Sequence, residues 1–436
     1  MSPFDAPVGG AGAEMHAFVR ELFPICRSIT GGGMRETLSR IQQRIPIALH
    51  EVPSGTRVLD WTVPDEWNVR DAWVANARGD RVIDFARHNL HLVGYSVPVR
   101  ERMPLAALRS HLHSLPDRPD WIPYRTSYYE RTWGFCVDHR TLMSLPDGEY
   151  DVCIDASLAP GHLTYGELFI PGATTDEILL SCHCCHPSLA NDNLSGIAVA
   201  VHLAARLAGS ARRHGVRVLF IPGTIGSITW LARNPDAAAR VRHGLVLSCL
   251  GDAGAPTYKR SRRGNALVDR AAEHVISARG GDSSAIRDFT PFGYDERQYC
   301  SPGFDLPVGC LMRTPNGAYP EYHTSADDTA FVHAGALEDS LSLALSIIEI
   351  LEHDVRYVNR QPYGEPQLGR RGLYGTVGGK APREAELAML WILNQSDGGH
   401  SLLDIANRSG LPFATLRAAA AALEDADLLA RAPVTP

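Results

Sequence analysis

The chain has 436 residues, 44 % of them hydrophobic and 21 % charged, with a formal net charge of −7. That is the balance of an ordinary soluble globular protein large enough for two or three domains, and it excludes a disordered or fibrous chain. The acidic surplus argues against nucleic acid or an anionic membrane as a general partner. The start MSPFDAPVGGAGAEM carries no basic segment ahead of an apolar one, and no apolar run is long enough to span a bilayer. A cytoplasmic protein is therefore expected, and nine scattered cysteines fit reduced thiols better than a disulfide framework.

From Glu14 the segment EMHAFVRELFPICRSIT has helical apolar spacing and stops at Gly31-Gly32-Gly33, after which a second helix is expected over Met34 to Arg44. Arg27 and Ser28, just ahead of the glycines, are candidate donors to a substrate anion. Between about Pro53 and Tyr150 helical periodicity fades, and Trp61, Trp67, Trp73, Trp121 and Trp133 place five of the seven tryptophans in one block. The runs AWVANA and RVIDFA around Arg-Gly-Asp read as a hairpin, so residues 53–150 are expected to form an inserted β-rich domain. Its segment TSYYERTWGFCVD offers Tyr128 and Tyr129 as the wall of a substrate pocket.

Two strands, EYDVCIDASL and HLTYGELFI, lead to DEILLSCHCCHPSLANDNLSG, where a short apolar strand ends in a cluster of imidazoles and a carboxylate before an alanine-rich helix. In α/β sheets ligands gather at the carboxyl ends of strands, which is where His183, His186 and Asp192 fall. Neutral imidazole and carboxylate suit zinc. Cys182, Cys184 and Cys185 are weaker candidates, because neighbours at a strand end point to opposite faces. Further on come a strand VRVLFIP, a helix ITWLARN and a strand HGLVLSCLGDAG ending on Asp252, which is either a second ligand or the cap of a turn. The basic run Lys259, Arg260, Arg262 and Arg263 is either a solvated face or a site for an anionic substrate group. Asp295 and Glu296, in FGYDERQYC, are candidates for acid–base work. In NGAYPEYHTSADDTAFV, His323 precedes Asp327 and Asp328, one of which is expected to orient its second nitrogen. A long helix from about Gly335 to His353 closes this part.

After the linker Arg371-Gly-Leu-Tyr-Gly-Thr-Val-Gly-Gly, three amphipathic helices of winged-helix type are expected within residues 365–436. From Gln361 onward seven basic residues face eight acids, and the third helix offers only Arg417. DNA binding is not expected there, and a docking or dimerisation role fits better.

At HPSLANDNLSG, GTIGS, GD and YHTSADD taken together, the chain resembles the zinc aminopeptidases of the M28 type, and more closely a branch of M28-like proteins with an inserted β-rich domain and a C-terminal winged helix. TSYY, WGFC, YDERQYCSPG and LYGTVGG agree with that branch. The resemblance implies an α/β fold: a three-layer αβα zinc-peptidase sheet over residues 1–52 and 151–358, with the other two domains as above. It implies that His186 is the first histidine ligand, Asp192 the bridging carboxylate, Asp252 the later aspartate and His323 the final histidine of a five-ligand, two-zinc site. The adjacent glutamates usual in M28, one a general base and one a ligand, have no counterpart in Pro222-Gly223-Thr224-Ile225-Gly226. One zinc is then expected rather than two, with Glu296, helped by Asp295, as the replacement base. Arg27, Tyr128, Tyr129, Arg260, Arg313 and Tyr322 are assigned to substrate. The expected activity is hydrolysis of an amino-terminal amide or aminoacyl bond of a small peptide or aminoacyl substrate, with acyl transfer, cyclisation or peptide binding without catalysis as alternatives. Homo-oligomers through the winged-helix or inserted domain are a further expectation.

Overall fold

A computed structural model describes residues 9–281, 285–373 and 383–433. Two compact units emerge: residues 1–269 with 281–345, and residues 270–280 with 346–436.

The first unit is built on an eight-stranded sheet of β1 (Ala48–Pro53), β2 (His162–Ile170), β3 (Glu177–His183), β4 (Gly215–Ile221), β5 (Val241–Leu247), β6 (Thr257–Lys259), β7 (Ile286–Arg287) and β8 (Val308–Met312). Their order across the sheet is β1-β2-β4-β3-β5-β8-β6-β7. Strands β4, β3, β5 and β8 run parallel, and β1, β2 and β6 pair antiparallel at the flanks. Every residue of β3, β4 and β8 is buried, which is why these strands read as continuous apolar runs: helices cover parallel strands on both faces. The one charged side chain inside β4, Arg217, is met by Glu177 at 2.6 Å and by Glu167. The alanine-rich helix Gly196–Ala208 packs directly behind β3. The first helix, Ala11–Leu22, stops well before Thr30: Phe23 still has helical dihedrals, but Pro24 has no backbone N–H to continue the ladder.

A second, antiparallel sheet runs in the order Arg81–Asp84, Glu66–Asn76, Glu149–Ala159, Val99–Pro104. The expected hairpin is there, with Val74 opposite Ile83. The pair of strands read after Gly148 also forms, but its members part company: Glu149–Ala159 joins the small sheet and β2 the large one. Strand pairing in the small sheet thus carries across residue 150. Strand β5 ends at Leu247, and Cys249 takes a positive φ of 51°. Asp252 is therefore a loop residue and not a strand end.

The second unit contains helices Glu384–Gln395, Leu402–Ser409 and Phe413–Asp425 and a three-stranded sheet. The central strand of that sheet is Arg356–Asn359, ahead of residue 365 and of the linker. Arg417 on the third helix meets Glu349 at 3.0 Å. From Tyr374 to Pro382 the linker lies outside the described residues. Among the described residues no helix is long and apolar enough to cross a membrane.

Candidate metal centre

Strands β3, β4 and β5 end side by side, with His183 opposite Ile221 and Ser181 opposite Val246. The loop leaving β3 must turn back into a helix inside the protein, so its polar groups need internal partners. The motif ANDNLSG supplies them. Asn193 donates through Nδ2 to the Leu247 carbonyl at 2.9 Å and accepts from Cys249 N at 3.1 Å, tying the ends of β3 and β5 together. Asn191 accepts from Gly251 N at 2.8 Å, and Ser195 Oγ donates to the Asn191 carbonyl at 2.6 Å. A Cβ on Gly196 would stand 2.6 Å from the Leu247 carbonyl oxygen, which accounts for glycine there.

These bonds deliver Asp192, 1 % exposed, into a ring of imidazoles. Its Oδ1 lies 2.8 Å from His183 Nε2 and 3.7 Å from His186 Nδ1, and its Oδ2 lies 3.0 Å from His323 Nε2. His183, His186 and Asp192 form a group able to hold a metal ion. Burial alone would raise the Asp192 carboxyl; the field of His186 and hydrogen bonds from His183 and His323 overcome it and hold the group well below its usual range. Burial pushes His186 down to about 3, so this imidazole is neutral, and its Nδ1 is buried with no hydrogen-bond partner. A neutral, orphaned imidazole nitrogen facing a carboxylate is the donor chemistry zinc requires.

The supporting groups differ from several expectations. Arg27 is fully buried and bonded to the main chain: its Nε donates to the His186 carbonyl at 2.9 Å and its Nη1 to the Leu22 carbonyl at 2.6 Å, with Nη2 left without a partner. Burial draws this guanidinium down to about 10. Asp327 does not orient His323. It accepts from Asn191 N at 2.6 Å and Asp192 N at 3.0 Å, clasping the loop that carries the central carboxylate. Asp252 takes the turn role: its carboxylate accepts from Asn191 Nδ2, Gly254 N, Thr314 N and Thr314 Oγ1 at 2.6–3.2 Å, which leaves it bracing the loop and outside the imidazole ring.

Glu296 is also spent. It is buried against the Lys259 ammonium and accepts from Tyr294 N at 3.1 Å, so both contacts tie it to its own loop. Asp295 differs. Its Oδ1 accepts from Ser227 Oγ at 2.7 Å, its Oδ2 is buried without a partner, and burial raises it to about 7. The residue between loop and site is Tyr294, which stood unremarked in YDERQYC beside the carboxylates. Its ring lies 3.7 Å from that of His183, and its hydroxyl is 3.4 Å from both His186 Nε2 and Cys185 Sγ. A Cβ on Gly223 would come within 1.8 Å of this ring. Tyr294 thus fills the space that a residue-223 side chain would need. Burial raises Cys185 to about 11, and Cys182 and Cys184 further, so none of the three is a ready thiolate.

Of the residues assigned to substrate, Tyr322 stacks on His323 at 4.0 Å and Tyr128 reaches the site edge, with its hydroxyl 3.2 Å from that of Tyr124. Tyr129 turns outward, 52 % exposed, against Trp61. Arg313 instead pins Asp339 at 2.7 Å. The basic run is neutralised: Lys259 by Glu296, Arg260 by Asp288 at 3.6 Å, and Arg262 and Arg263 by Asp305 at 2.9 and 3.2 Å. Tyr124, two residues before TSYY, was missed; its ring stands edge-on to both His186 and His323.

Comparison with known proteins adds the following. Residues 16–354 match the family described as a domain of unknown function (DUF4910), and residues 355–431 a winged helix-turn-helix. A Clostridium acetobutylicum protein, provisionally described as a polysaccharide biosynthesis protein with an aminopeptidase-like domain, is 48 % identical over 419 residues, 96 % of each chain. The crystal structure of a provisionally assigned peptidase from the same organism has a TM-score of 0.91 at 47 % identity, covering 96 % of both chains. BSAP, a zinc aminopeptidase from Bacillus subtilis, has a TM-score of 0.57 at 12 % identity, covering 79 % of this chain and 95 % of that one, a likeness of fold.

Proposed function

We propose that this chain, which belongs to the DUF4910 family and has an M28-type fold followed by a winged helix, is a zinc-dependent hydrolase acting on an amino-terminal amide or aminoacyl bond of a small, dedicated substrate. The observation that carries the proposal is Asp192 ringed by three imidazoles, one of which keeps a buried, unpartnered nitrogen. Asp192, His186, His183 and His323 would hold the zinc, and the ion when bound polarises a carbonyl and acidifies water.

The chain's own groups supply the rest. The Tyr294 phenol stays protonated because burial raises it well above its usual range, so it serves as a hydrogen-bond donor to a substrate oxygen. Asp295, poised near neutrality with an unpartnered oxygen, is the proton acceptor that replaces Glu296 in our reading. Tyr128 and Tyr322 line the approach, and Asp327, Asn191 and Arg27 keep the loop in place. The name of the Clostridium relative supports a biosynthetic substrate over general peptide turnover.

A second reading, acyl transfer or cyclisation without water as the final nucleophile, is favoured by the absence of any carboxylate at positions 223 and 224. The test is elemental analysis of the protein purified without added metal, alongside His186→Ala and His323→Ala, followed by aminoacyl amides with mass-spectrometric identification of products. About one zinc per chain, lost in both variants, with hydrolysed product supports the proposal. Product lacking the elements of water selects the second reading, and no metal even after zinc is supplied overturns both.

A further inference from the structure

We infer that Tyr124 is a positioning residue for the metal site, the spacer that fixes how His186 and His323 stand on either side of Asp192; the inference rests on the metal-site reading above. The rings of Tyr124, His186 and His323 form a nearly equilateral triangle. Tyr124 lies 5.2 Å from His186 and 5.1 Å from His323, and the two imidazoles are 5.2 Å apart. Both contacts of the tyrosine are edge-on, at 89° and 88°, the favoured arrangement for aromatic pairs. A single ring therefore props two imidazoles that come from segments far apart in the sequence.

The main chain fixes the prop to one of them. Tyr124 N donates to the His323 carbonyl at 2.8 Å. On either side, Ser325 N donates to the Ile122 carbonyl at 2.8 Å, Ile122 N donates to Ser325 Oγ at 2.9 Å, and the Arg118 guanidinium donates to the Pro320 carbonyl. His323 itself has a φ of 55°, an uncommon conformation for a non-glycine residue although histidine is among those that adopt it most readily. The clip from residues 118–125 braces it. At the far end of the ring, the Tyr124 hydroxyl meets the Tyr128 hydroxyl at 3.2 Å. Among the described residues Tyr124 makes no hydrogen bond to Asp192 and feels only its charge, so its ring acts on the site through the two imidazoles. A segment that reads from sequence as part of a separate insertion thus completes the geometry of the site.

The experiment is cobalt(II) titration of the full chain, followed by visible absorption and competition with a chelator, for the wild type, Tyr124→Phe and Tyr124→Ala, with thermal unfolding of each metal-free protein in parallel. Phenylalanine keeps the spacer and should match the wild type in affinity and spectrum. Alanine should weaken binding about 10- to 100-fold, the range for loss of a residue that orients a ligand, and should alter the absorption bands. A Tyr124→Ala protein that melts lower but binds cobalt with unchanged affinity and spectrum would overturn the inference, since the ring would then be packing alone. Phenylalanine behaving like alanine would overturn it too, by placing the effect on the hydroxyl. A wild type that binds neither cobalt nor zinc sinks the metal-site reading itself, and that failure shows in the wild-type arm.

Discussion

Gly223 offers a direct test of how the site is packed. Its φ lies outside the left-handed region that favours glycine, so no positive φ accounts for glycine at this position. The obstacle is steric: the added Cβ would lie 1.8 Å from Tyr294 Cε1. The ring cannot easily retreat, because it leans on His183 at 3.7 Å and its backbone nitrogen is held by Glu296. Overpacking of this kind costs about 1–3 kcal/mol, and the absence of an escape route places Gly223→Ala near ~3 kcal/mol. With Tyr294→Ala already in place the same change should cost ~0.5 kcal/mol or less, a coupling of ~2–3 kcal/mol in a double-mutant cycle. Urea unfolding of the four metal-free proteins, followed by tryptophan fluorescence, measures it. Equal costs in both backgrounds would refute the packing argument, and with it the claim that Tyr294 and a side chain at residue 223 exclude one another.

Asp252→Ala removes an acceptor of four hydrogen bonds and should destabilise by about 2–4 kcal/mol while leaving the metal content per folded chain unchanged; loss of metal would restore Asp252 as a ligand. His183→Ala should lower zinc affinity as His186→Ala does, read by chelator competition. Asp295→Asn bears on pH: the carboxyl titrates near 7 in the fold against 3.8 when free, so between those values the folded state holds a proton that the unfolded state has released. The Asp295 contribution to wild-type stability should therefore fall as pH rises from about 4 to about 7, and the asparagine variant should gain on the wild type across that window, by at most about 4 kcal/mol above pH 7 and by nothing below pH 4. Glu296→Gln should instead cost about 3 kcal/mol by leaving the buried Lys259 ammonium without a counter-charge, held only by the Thr290 and Phe292 carbonyls.

Much of this was legible in the sequence, for physical reasons. Buried parallel strands write themselves as apolar runs, so β3, β4 and β8 stood out, and a histidine cluster behind such a run marks the strand ends where sites form. The hairpin around Arg78-Gly79-Asp80 and the three C-terminal helices were equally plain from their periods. What stayed hidden depends on contacts between distant segments. Nothing local distinguishes Asp252, which caps a turn, from Asp192, which stands among imidazoles; both are buried aspartates after a strand. Glu296 looked like a free base because Lys259, its partner, is remote in the chain. Tyr294 carried a signal, the glycine at 223, but only as a missing side chain whose space had to be filled by something else. Arg356–Asn359 could not be assigned to the winged helix because its pairing partners come after the linker.

The distances along the chain within the candidate site have a consequence for assembly. His323 meets Asp192 across 131 residues and Arg27 meets His186 across 159. Small zinc modules draw their ligands from a few neighbouring residues, and the ion organises a chain that is otherwise unfolded. Here the candidate ligands stand at the end of the large sheet and on the His323 loop to which the segment around Tyr124 is bonded, so the finished fold is what brings them together. During synthesis, a ribosome-bound chain lacking residue 323 has no complete sphere to offer. An ion would therefore be a late passenger of a finished fold rather than its template, and stripping it should leave a folded apoprotein ready to be reloaded.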